Sequence, residues 1–122
     1  MADFAYVNVN PDNERVSDCV TRAMVLSTGI EYPEIRKKLF HISKLLNCSK
    51  LDICCYKFLL DNVFSLQRIN CRGLTVEQFA DIHPVGTYLI RVPSHLTTVI
   101  NGCVKDIWDC RSEPCDIAWF VK

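Results

Sequence analysis

The spacing of apolar positions changes along the chain. Up to about Gly73 it is mostly helical, and beyond Gly86 it alternates. Phe4, Tyr6, Val7 and Val9 suggest a short extended lead-in, closed by the turn residues Asn10-Pro11-Asp12-Asn13. A first helix runs from Cys19 to Thr28, with Ser17 or Asp18 as N-cap and Gly29 as its stop. Tyr32-Pro33-Glu34 opens a second helix, with Ile35, Leu39, Ile42, Leu45 and Leu46 on one face and Asn47-Cys48-Ser49 as its end. A third spans Leu51 to about Phe64, with Ile53, Cys54, Phe58, Leu59 and Phe64 expected inward. Thr75 caps a short helix through Ala80. Period-two runs at Thr87–Val92, His95–Ile100, Cys103–Asp109 and Ile117–Val121 then read as strands, punctuated by Pro93, Asn101-Gly102 and Pro114. The expectation is one α+β domain over residues 1–122, with N-terminal helices packed on a C-terminal antiparallel sheet.

Charge narrows the partners. Fourteen Lys and Arg balance fourteen Asp and Glu, so no basic field exists to recruit nucleic acid or an acidic membrane. Arg36-Lys37-Lys38 reads as a solvated helix face. The N-terminus lacks the basic and apolar stretches of a signal peptide, and no run reaches the roughly 18 apolar residues of a membrane span. A soluble, cytoplasmic protein is expected. In that reducing compartment the eight cysteines do not imply disulfides. Their spacings contain no C-x-x-C, so neither a metal nor any other cofactor is expected.

Asn101-Gly102 between two strand runs specifies a tight hairpin, because a type I′ turn needs positive φ at both central residues. Val99 then faces Val104, Thr97 faces Asp106 and His95 faces Trp108. His95 and Asp106 share a face, while Asp109 points to the other and becomes the orienting carboxylate only if a bulge shifts the register. A carboxylate beside an imidazole orients the ring and favours its cation. Cys19 is the one cysteine placed at a helix start, where unpaired N–H groups favour a thiolate. Arg22, one turn on, adds to that effect. Asp18 opposes it unless, as an N-cap, it turns toward the backbone.

Asp18-Cys19-Val20-Thr21-Arg22-Ala23 opening a helix, then His95 to Gly102 and Lys105-Asp106-Ile107-Trp108-Asp109, resembles the papain-like cysteine peptidase superfamily, especially small bacterial and phage members. The resemblance covers nearly the whole chain. It implies Cys19 as nucleophile, His95 as base and then acid, and Asp106 as the group that orients His95. The oxyanion helper of such enzymes is a polar side chain shortly before the cysteine, usually Gln. No Gln precedes Cys19 here, which leaves Asn13, at the spacing papain uses, and Asn10, beside the Cys19 backbone N–H. The expected activity is cleavage of a peptide, isopeptide or other amide bond in a protein or peptide through a thioester. The alternatives are a non-catalytic binding module on the same fold, or a small zinc-binding protein. His41 and His83 read as structural, and Trp108 and Trp119 as core or pocket wall.

Overall fold

The computed structural model describes residues 2–14, 17–49 and 52–122. Strand β1 covers Asp3–Tyr6, and helix α1, Cys19–Thr28, ends where Gly29 takes up φ 77°. Helix α2 is Tyr32–Leu46, opened by Pro33 and closed by left-handed Asn47. Helix α3, Ile53–Phe58, widens into a π turn over Leu59–Val63. Strand β2 is Gln67–Ile69, and α4, Val76–Ile82, begins with a complete capping box between Thr75 and Gln78. Then come β3, Thr87–Val92; β4, His95–Ile100; β5, Cys103–Asp106; and β6, Ile117–Phe120.

The six strands form one sheet in the order β1-β5-β4-β3-β6-β2. The hairpin register is the expected one, with Ile100 opposite Cys103 and Val99 opposite Val104. The sheet is nonetheless mixed, not antiparallel throughout. β1 lies parallel to β5, with Phe4 beside Val104 and Tyr6 beside Asp106. The outer edge of β5 would otherwise present unpaired backbone groups, and the lead-in covers it. That pairing joins the two ends of the chain, so no local pattern announces it. β2, too short to show a period, was not expected either; it pairs with β6 through Arg68 opposite Trp119.

Two layers of helix cover the sheet. On one face, Val20, Ala23 and Met24 of α1 pack with Ile35 and Leu39 of α2, Leu60, Leu89, Leu96 and Trp119. Thr98 ties α1 down by donating its hydroxyl to the Ala23 carbonyl at 2.9 Å. On the other face Val76 and Phe79 of α4 pack with Ile90, Val92, Val99 and Val104. Strand alternation therefore sends Leu96 and Thr98 toward α1 and Thr97 and Val99 away from it.

Three expectations shift. Cys54 is exposed rather than inward, because the buried side of α3 carries Cys55 and Tyr56, and the π turn brings Leu59 and Leu60 into line with them. Ile53, Phe58 and Phe64 are only half-buried at its margins. The run is so uniformly apolar that its pattern does not pick a face. Leu45 and Leu46, expected on the buried face of α2, are exposed, Leu45 beside Phe58 and Val63 in a surface depression. Finally, the strand at Cys103 stops at Asp106, whose own carboxylate accepts the backbone N–H of Ile107 at 2.7 Å and turns the chain. Among the described residues no helix is long and apolar enough to cross a membrane.

Candidate active site

β4 outruns β5 at its start: the ladder begins at Thr98 opposite Lys105, so His95 and Leu96 lie beyond it on an open edge. The tight Pro93-Ser94 turn, with Ser94 at φ 60°, sets His95 opposite Val92. The N-terminus of α1 comes up against this edge. Cys19, its first residue, is half-buried, and its sulfur is hydrogen-bonded to the His95 side chain and to the Leu96 backbone. The other ring nitrogen of His95, Nε2, meets Asp106 Oδ2 at 2.6 Å. Trp108 stands edge-on to the imidazole, ring centres 5.0 Å apart, so the expected cross-strand neighbour is there although the strand has ended.

Asp106 is buried and well held. Its Oδ1 accepts from the Ile107 and Trp108 backbones at 2.7 and 3.4 Å and from Arg22 Nη1 at 3.4 Å. Asp109, the rival, is instead gripped in a two-pronged contact by Arg111 at 2.9 and 2.8 Å. Asp18 does not cap α1. Its carboxylate accepts from Arg22 Nε at 2.5 Å, Tyr32 Oη at 2.6 Å and Asn10 Nδ2 at 3.0 Å. Three side-chain donors outcompete the backbone N–H that a cap would use. Nothing in the sequence pattern pointed to Tyr32, and Leu96 had no signal at all, since its role is a backbone one.

These neighbours set the charges. Burial pushes the Cys19 thiol up, but hydrogen bonds from His95 and the Leu96 backbone, with the charges of His95 and Arg22, bring it below the ordinary thiol value. Burial pushes His95 down, and the bonds to Asp106 and Cys19 outweigh it, raising the imidazole to about 9. Burial likewise opposes ionisation of Asp106, yet the His95 bond and charge hold it below the usual carboxylate range. All three shifts favour thiolate, imidazolium and carboxylate together. The shifted thiols elsewhere go the opposite way, with Cys110 and Cys115 driven to about 12 chiefly by burial.

Cys19 and His95 open onto a groove of about 510 Å³, walled by Val20, Ile53, Tyr56 and Arg91. Neither Asn10 nor Asn13 lines it. Asn10 sits in a separate depression with Tyr32, its amide spent on Asp18 and Tyr32, and Asn13 is an exposed turn residue at φ 55°. The structure thus brings Cys19, His95 and Asp106 together and leaves both oxyanion candidates outside.

No family model, curated protein or solved structure matches this chain. The reading of the site therefore rests on its own chemistry. His95, Asp106 and Cys110 place metal-capable atoms within 4.8 Å of one another. A divalent cation fits them poorly, because Arg22 already occupies Asp106 and burial holds the Cys110 thiol in its neutral form. His83 is structural, stacked on Phe79 with ring centres 4.1 Å apart.

Proposed function

We propose that this protein is a thiol acyl hydrolase with a papain-like Cys19–His95–Asp106 triad, acting on a peptide, isopeptide or other amide bond. The observation that carries the reading is the continuous chain from the Cys19 sulfur through His95 to Asp106 Oδ2 at 2.6 Å, opening onto a groove. In the reaction the thiolate attacks the carbonyl carbon and the carbonyl electron pair moves to oxygen. In this reading the Cys19 backbone N–H, at the start of α1 where it has no intrahelical acceptor, donates to that oxyanion. His95 gives its proton to the leaving nitrogen, the C–N bond breaks and an amine departs, leaving a thioester. Water then attacks with its proton passing to His95, and the carboxylic acid leaves as the thiolate returns.

Asp106 keeps the ring turned and stabilises the imidazolium without taking its proton. The sign of the pH dependence follows from His95. As pH rises through about 9 the ring loses the proton that the leaving amine needs, so amide cleavage falls while the thiolate persists.

The test needs no substrate. At about pH 6–7, where an ordinary thiol is protonated, iodoacetamide labels Cys19 faster than the other seven cysteines, and His95→Ala removes the preference. Mass spectrometry of the labelled peptides reads both. Slow, uniform labelling that His95→Ala leaves unchanged overturns the enzyme reading in favour of a binding module.

A further inference from the structure

Arg22 lies three residues after Cys19 on the same face of α1, and only 4% of it is exposed. Its guanidinium spans two carboxylates distant in the chain, Nε on Asp18 at 2.5 Å and Nη1 on Asp106 at 3.4 Å. Cys19, Arg22, Leu96 and Asp106 line one small crevice beneath the groove. A buried ion pair is weak evidence for stability, since desolvation offsets much of the attraction. Here, however, one end of the pair is the carboxylate that holds His95, and the other sits at the base of the helix that carries Cys19.

We infer that Arg22 is a positioning residue, a planar bridge that locks the start of α1 to Asp106 and so holds Cys19 and His95 in one geometry. The inference rests on the Cys–His–Asp reading. A guanidinium can direct Nε and Nη1 at two acceptors at once, and an ammonium cannot do so with fixed geometry. The bridge also places a positive charge beside the thiolate and the imidazolium. Facing the pair from the groove side are Asp52, Cys54, Tyr56 and Arg91; from the buried side come Asp18, Tyr32, Lys105 and Cys110. Of all these, Arg22 is the cation bonded to Asp106 itself.

Two pH steps report on the bridge: formation of the Cys19 thiolate, read by the pH dependence of its alkylation, and loss of the His95 proton, read by the NMR shift of its ring. Removing a positive charge makes the thiolate harder to form and the imidazolium harder to lose, so Arg22→Gln raises both steps, by about one unit each. Asp18→Asn removes a negative charge and lowers both. Arg22→Lys keeps the charge and leaves the steps close to the parent's, but slows the alkylation of the fully formed thiolate because one of the two bonds is gone. A merely structural ion pair lowers the melting temperature and moves neither step. In Arg22→Gln, steps that stay in place, or only one that moves, overturn the inference; where Arg22→Gln does not fold, Asp18→Asn is read by the same criterion, and Arg22→Lys overturns the inference if its fully formed thiolate is alkylated at the parent's rate. Failure of the parent reading looks different, because the unmutated protein then shows no preferred labelling of Cys19.

Discussion

Two cysteines flank the same His95–Asp106 pair and are driven in opposite directions. Cys19, on the α1 side, is half-exposed to the groove and meets an imidazolium, a backbone N–H and, one turn away, Arg22. Cys110, on the side away from α1, is fully buried, and the charge that acts on it most is the Asp106 carboxylate. Burial acts on both thiols in the same sense. What separates them is what offsets burial: at Cys19 the hydrogen bonds from His95 and the Leu96 backbone do so, whereas at Cys110 burial prevails and the Asp106 charge adds to it. Reactivity here belongs to the direction from which a cysteine approaches, not to the number of cysteines.

The contrast is broken most severely at Asp106. Asp106→Asn removes the charge that raises His95 and pushes Cys110 up; His95 returns from about 9 toward its ordinary value, and Cys19 alkylation at neutral pH falls at least about 100-fold. NMR titration of the ring and timed labelling measure the two effects. A milder change sharpens it. Cys110→Ala leaves the labelling rate of Cys19 at the parent level while costing about 1 kcal/mol in urea unfolding, since the site loses packing and no chemistry. The smallest effect belongs to Asn13→Ala, which leaves Cys19 labelling as it was and costs about 1 kcal/mol in the same unfolding measurement, because alanine tolerates the left-handed backbone poorly. A large loss of labelling in that variant would show that Asn13 acts on the Cys19 thiolate itself.

Where local chemistry decides a feature, the chain announces it. Gly29 ends α1, Pro33 opens α2, Thr75 and Gln78 cap α4, and Asn101-Gly102 sets the register that puts His95 and Asp106 on one face. Where the deciding partner is remote, the chain is silent. The parallel pairing of β1 with β5, the three-residue β2 and the buried face of α3 each depend on a surface that forms only when distant segments meet. Asp18 shows the same limit within the site. Its position before a helix suggested a cap, yet Tyr32 and Arg22 offered stronger donors and took its carboxylate.

The sequence alone thus determined most of the elements and the composition of the candidate triad, because capping, turn geometry and strand alternation are properties of neighbouring residues. Only the tertiary structure decided that Cys19 reaches His95 at the end of the sheet, that Leu96 lends the sulfur a backbone N–H, and that Arg22 spans two carboxylates. These contacts join residues from opposite ends of the chain. Their energies come from burial and charge at one point in space, which no spacing along the sequence encodes.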